Sequence, residues 1–75
     1  MPASELTSRL KRNGALCSGR IGIHAIYRAH YVDEHQRQSY VITTITHHPD
    51  GIPDFELEKI EQDLAPALSP RWLQE

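Results

Sequence analysis

The chain has 75 residues, of which 39% are hydrophobic and 24% charged, and its formal net charge is −2. A domain of this size buries only about 60% of the surface that its unfolded chain exposes, so there is room for one hydrophobic core. We therefore predict a single domain over residues 1–75. The composition excludes an intrinsically disordered chain, and no apolar run is long enough to span a bilayer.

Cysteine usage limits how so small a domain can be stabilised. Cys17 is the only cysteine, so no intramolecular disulfide can form. Small domains without disulfides depend on a metal, a second copy or a partner. The single thiol, together with a charged N-terminal segment that lacks the apolar stretch of a signal peptide, predicts a cytoplasmic protein.

The N-terminal segment predicts a short helix over residues 4–14. Ser4 is the expected N-cap, Leu6 and Leu10 lie four residues apart on one face, and Gly14 is the expected stop. Because only two apolar residues mark the buried face, a loosely attached helical arm over 1–14 is the alternative to a packed helix.

Two segments, 20–32 and 39–48, have compositions that favour extended structure. The first alternates, with Ile, Ala and Tyr on one face and Arg and His on the other. Its apolar residues also fit helical spacing, but Gly22 disfavours a helix interior, and Ile and Tyr favour a strand. The second segment, rich in Tyr, Val, Ile and Thr, carries the strongest strand signal in the chain.

A short polar stretch joins these segments and predicts an antiparallel hairpin. A loop of about four residues would place Tyr31 opposite Tyr40 and His24 opposite His47, and a slip of one residue would exchange the faces. An isolated hairpin is marginal in water, so it must be covered by the C-terminal helix or extended by another strand. Residues 15–18 are one candidate, and a strand from a second copy of the chain is the other.

The C-terminal third predicts a helix that follows a Pro-Asp-Gly turn, with Pro53 at its first position and Pro66 limiting its length. Its apolar stripe consists of Leu57, Ile60 and Leu64. The tail over 69–75 carries Trp72 and either folds back or stays free. Together the elements predict an α+β fold, with an antiparallel hairpin or small sheet packed against a C-terminal helix, and a short N-terminal helix.

Charged and imidazole side chains are the candidate binding residues. They are Arg20, His24, Arg28, His30, His47 and His48 on the hairpin, and Glu58 and Glu61 on the acidic C-terminal helix. The histidine spacing matches no metal-binding pattern, and no residue is fixed beside Cys17 to activate it, so we predict neither a metal nor a catalytic residue. No cofactor is expected.

The absence of catalytic, nucleotide and metal motifs predicts a small non-enzymatic binding protein, regulatory or inhibitory, that acts on a macromolecule and above all on a protein. Accessory proteins of phages and mobile elements share this profile. The alternative is an RNA- or DNA-binding module, or a metal-free ribonuclease, that uses the hairpin histidines and arginines. An isoelectric point near 6.2 and an acidic helix start argue against it. A homodimer through an edge strand is a further expectation.

Overall fold

The computed structural model describes residues 1–74, which form a three-stranded antiparallel sheet and two α-helices. The elements are α1 (Ala3–Arg12), β1 (Leu16–Ile21), β2 (His24–Val32), β3 (Gln38–Thr46), α2 (Asp54–Leu68) and a 3₁₀ turn, η1 (Trp72–Gln74). The strands lie in the order β1-β2-β3. The predicted α+β fold is therefore confirmed. No helix within these residues has the length and apolar character needed to cross a membrane.

Helix α1 is part of the core, because Leu6 and Leu10 are fully buried. Its N-cap is Pro2 and not the predicted Ser4, which lies inside the first turn. The carbonyl of Pro2 accepts the N–H groups of Glu5 and Leu6 at 3.1 and 3.2 Å. No side chain caps this helix. The extended backbone of Pro2, with ψ at 144°, is the usual conformation of an N-cap, whose carbonyl accepts the first helical N–H groups.

The segment predicted as one strand over 20–32 is two strands joined by a tight turn. Ile21 pairs with His24, and the two residues between them reverse the chain, with Gly22 at a φ of 57°. A glycine at the first turn position is typical of two-residue hairpins, because it reaches positive φ without steric cost. The third strand is thus supplied by the segment that includes residues 16–18 of the predicted range 15–18, and this strand, β1, extends further to Ile21.

The register between β2 and β3 differs by one residue from the predicted register. Tyr31 pairs with Ser39, and His24 pairs with Thr46. The cause is the connection, which holds five residues instead of four. In it the Asp33 carboxylate accepts the backbone N–H groups of His35 and Arg37. Because side chains alternate, this single-residue difference moves all of β3 to the other face.

One face of the sheet, here called the helix-side face, forms the core with the helices. Its most buried residues are Ala25, Tyr27, Ala29, Thr43 and Ile45. As predicted, Ile60 and Leu64 of α2 are buried against this core, and Leu57 is half-buried. Pro66 lies in the last turn of the helix, which runs two residues past it and ends at Leu68.

The C-terminal tail folds back onto the core. Trp72 and Leu73 are buried, and the indole Nε1 of Trp72 donates a 3.0 Å hydrogen bond to the carbonyl of Glu61 in α2. Arg9 of α1 also donates to the carbonyl of Leu73. The tail predicted over 69–75 thus joins both helices, with Glu75 outside the described residues.

Candidate functional site

Within residues 1–74 no helix packs across the second face of the sheet, which we call the open face. The start of α2 lines a cavity with His24, Thr44 and Thr46 at one end of this face. The residues of the open face are Leu16, Gly19, Ile21, His24, Ile26, Arg28, His30, Val32, Gln38, Tyr40, Ile42, Thr44 and Thr46. They share this face because directly opposed residues of antiparallel strands point the same way. The face is therefore fixed by the two registers, and it is the largest surface of the sheet available to a partner.

The open face is unusually apolar for a surface exposed to water. Within residues 1–74, seven large hydrophobic side chains are 51–75% exposed, and five of them lie on this face. These five are Leu16, Ile21, Val32, Tyr40 and Ile42. Single exposed hydrophobic residues need no explanation, but a contiguous apolar patch marks an interaction surface.

Arg28 and two aromatic rings form the centre of the face. The guanidinium carbon of Arg28 lies 4.6 Å from the centroid of the Tyr40 ring, and the His30 ring lies 5.8 Å from the same centroid. Arg28 is half-buried, and its Nε has no hydrogen-bond partner among the described residues. Because that Nε is itself buried, only the terminal N–H groups of the guanidinium, which lies over the ring, can meet an incoming acceptor.

No carboxylate lies on the strands of the open face. The four ion pairs within residues 1–74 are elsewhere, and none of them contains Arg28. At one end of the face Nδ1 of His24 lies 3.0 Å from the hydroxyl of Thr46. The face therefore combines aliphatic and aromatic area with a fixed positive charge.

The structure places three of the predicted binding residues on the same face of the sheet. His24, Arg28 and His30 are all on the open face. His24 and His30 are six residues apart on β2, or roughly 20 Å at 3.3 Å per residue, so these two imidazoles cannot act on the same small group. Arg28 lies between them and is the predicted residue closest to the centre of the face.

The other hairpin residues do not join them. Arg20 was predicted on the same face as Arg28, but it pairs with Ala25 on the helix-side face, because the chain reverses after Ile21. His47 lies beyond the end of β3, where its backbone N–H donates to the carbonyl of Ile23 in the β1–β2 turn. Nε2 of His48 lies 2.9 Å from a carboxylate oxygen of Glu56, which ties this imidazole to α2.

The two predicted acidic residues lie on α2, away from the open face. Glu58 is exposed. Glu61 is half-buried beside the folded-back tail, where its carbonyl accepts the indole of Trp72 and its carboxylate lies 3.4 Å from the side-chain nitrogen of Gln74. Glu61 thus holds the tail, while Glu58 remains a solvated charge.

Sequence reasoning missed the apolar part of the site, above all Tyr40 and Ile42. The shifted register had assigned both to the core. A signal was present, because β3 carries large apolar residues at alternate and at intervening positions, more than a single covered face requires. Among residues 1–74, no three His, Cys, Asp or Glu side chains lie close enough together to hold a metal ion.

Comparison with protein-family models, with curated proteins and with solved structures finds no significant match. The class of protein therefore follows from the architecture alone. It is a small α+β domain with two helices on one side of a three-stranded sheet and an apolar, positively charged face on the other.

Proposed function

We propose that this protein is a non-catalytic binding module whose open face docks on another protein, at a site where carboxylates lie among apolar side chains. Binding of this kind makes the protein a regulator or inhibitor of its partner. The exposed thiol of Cys17 supports action in a reducing, cytoplasmic environment.

The observation that carries the proposal is the composition of the open face. Leu16 and Ile42 lie opposite Arg28, which lies over the Tyr40 ring and meets no carboxylate within residues 1–74, and the exposed Ile21 and Val32 lie toward the two ends of the face. Tyrosine and arginine are enriched in the residues that dominate binding energy at protein interfaces. A carboxylate on the partner would pair with a positioned guanidinium, and its apolar neighbours would cover the aliphatic residues.

A nucleic-acid partner has less support. Single-stranded and double-stranded nucleic acids are bound by several cations along one surface. Here Arg28 lies on the open face, Arg20 lies on the helix-side face, and Arg9 of α1 is paired with Glu5 at 3.0 Å. The cations are thus divided between two sides of the molecule.

The test is selection of a phage-displayed library of random peptides on the immobilised protein. We expect enrichment of peptides that combine Asp or Glu with aliphatic or aromatic residues. Ile42→Asp should abolish this enrichment, because it places a carboxylate in the centre of the face. Ile23→Asp is the matched control, since Ile23 is 56% exposed, close to the 51% of Ile42, but lies in the β1–β2 turn.

The parent protein and the variant Arg28→Ala are then titrated with labelled RNA and DNA of random sequence. Saturable binding of a nucleic acid that is lost in Arg28→Ala would overturn the proposal. Peptides that bind Ile42→Asp and the parent equally would overturn it as well, because the open face would then play no part.

A further inference from the structure

Strand β1 has a free edge. It pairs with β2 on one side, and no strand pairs with its other side within residues 1–74. Five of its six residues are exposed, including Leu16 at 65% and Ile21 at 75%. An exposed edge with apolar side chains is a template for a further strand, because its backbone is already extended and its outward N–H and C=O groups are unpaired.

A β-bulge decides which side chains of β1 share a face. The pairing shifts between Cys17 and Gly19, so Ser18 is an extra residue. Leu16 and Ile21 are five positions apart and would lie on opposite faces of a regular strand. With the extra residue, both lie on the open face, opposite Arg28 and His24 of β2 respectively.

We propose that two copies of the chain pair antiparallel through β1, with Leu16 of each copy opposite Ile21 of the other, and Cys17 opposite Arg20. This register uses the whole strand, and it places Leu16 and Ile21 together on the open face and Cys17 and Arg20 together on the helix-side face. A shift of one residue would place Leu16 opposite Arg20 of the second copy, and these two belong to opposite faces. The bulge therefore makes the strand complementary to itself.

Backbone and charge both suit this arrangement. Ile21 and His24 close a two-residue turn and exchange hydrogen bonds, so the N–H and C=O of the next residue, Arg20, face away from β2 toward the free edge. Each Arg20 side chain of a dimer lies beside Cys17 of the other copy, and the Cα atoms of the two arginines are roughly 10 Å apart, so salt screens most of their repulsion.

Pairing would also enlarge the docking surface. Two strands of nine residues and one of six offer at most roughly 30 by 14 Å, or about 400 Å². A stable interface buries about 800 Å² on each partner, which corresponds to the six strands of a dimer. This consequence rests on the proposed function, whereas the dimer itself does not.

The first test is disulfide trapping with Arg20→Cys, which leaves native Cys17 in place. Opposed residues have Cα atoms about 5 Å apart, within the range of a disulfide, so oxidation is expected to yield a covalent dimer. Cys17 and residue 20 of one chain are roughly 10 Å apart and cannot bond internally. The controls are the parent protein and Thr44→Cys, an exposed position on β3. The register would be overturned if Thr44→Cys formed as much covalent dimer as Arg20→Cys. It would also be overturned if Arg20→Cys formed none.

The second test is sedimentation of charge variants at equal concentrations. Leu16→Glu and Ile21→Lys are each expected to raise the dimer dissociation constant about tenfold or more, since each exchanges a cross-strand apolar contact for an unpaired charge. The double variant should recover much of the affinity, because the carboxylate introduced in each copy would lie opposite the ammonium group introduced in the other. A strictly monomeric parent, or a double variant as weak as the single ones, would overturn the proposal. A monomer that still selects peptides through Ile42 would leave the docking function intact.

Discussion

The guanidinium of Arg28 on β2 lies over the ring of Tyr40 on β3, 4.6 Å from its centroid. The two residues are not directly opposed, since Arg28 pairs with Ile42 and Tyr40 pairs with His30, so the contact is diagonal across the strands. A long side chain spans this distance easily. The result is a positive charge held over an aromatic ring in the middle of the open face.

This contact predicts that charge alone will not replace Arg28. Arg28→Lys keeps the charge but loses the planar group that stacks on Tyr40, so we expect about tenfold weaker binding of a selected acidic peptide, and a larger loss in Arg28→Ala. Isothermal titration calorimetry measures both, with Thr44→Ala as the control on the same face. Equal affinities for the lysine variant and the parent would show that stacking does not contribute.

The hydroxyl of Thr43 predicts a stability difference between neighbouring threonines. Thr43 is buried and donates to Oδ2 of Asp63 at 2.9 Å, the oxygen that also accepts Lys59 Nζ at 2.7 Å. Thr43→Val keeps the shape but leaves the carboxylate without this donor, which should cost about 1–2 kcal/mol in the free energy of unfolding. Thr44→Val, on the exposed face, should change it by less than about 0.5 kcal/mol. Urea denaturation measures both, and equal losses would contradict the role of the hydrogen bond.

Gln36 predicts a stabilising substitution in the loop between β2 and β3. Its φ of 62° is a conformation that costs a non-glycine residue about 1–2 kcal/mol. Gln36→Gly removes that strain at a smaller cost in chain entropy, so we expect a gain of about 0.5 kcal/mol. Gln38→Gly, at the start of β3, should instead destabilise the protein. In thermal denaturation, the Tm should rise in Gln36→Gly and fall in Gln38→Gly if the loop conformation is correct.

Much of the fold follows from local composition, whereas the site depends on register. The apolar stripe with Ile60 and Leu64 predicted α2, and the β-branched residues predicted β3. The turn at Gly22 was hidden, because alternation continues through Ile21 and Ile23 as it would in one strand. No local signal distinguishes a glycine inside a strand from a glycine that reverses it.

The candidate site likewise has a part that local spacing predicts and a part that depends on the register between strands. His24, Arg28 and His30 were predicted on one face because even spacing within a strand fixes this without knowledge of the partner strand. The contact between Arg28 and Tyr40 joins two strands, so it depends on the number of residues in the connection. One residue more than expected was enough to assign Tyr40 to the wrong face.

The folded-back tail predicts strong dependence on Trp72. This side chain is fully buried, so Trp72→Ala should cost about 3–5 kcal/mol, a large share of the stability of a domain this small. Trp72→Phe should cost less, mainly through the lost hydrogen bond to Glu61. Chemical denaturation followed by circular dichroism ranks the variants, and an alanine variant as stable as the parent would show that the tail is not part of the core.

Trp72 is also the only tryptophan in the chain, and it lies among the helices, behind the sheet as seen from the open face. Its indole should emit at short wavelength in the native protein and shift to the red on denaturation. Because a ligand on the open face cannot touch it, its fluorescence distinguishes variants that fail to fold from variants that fold but fail to bind.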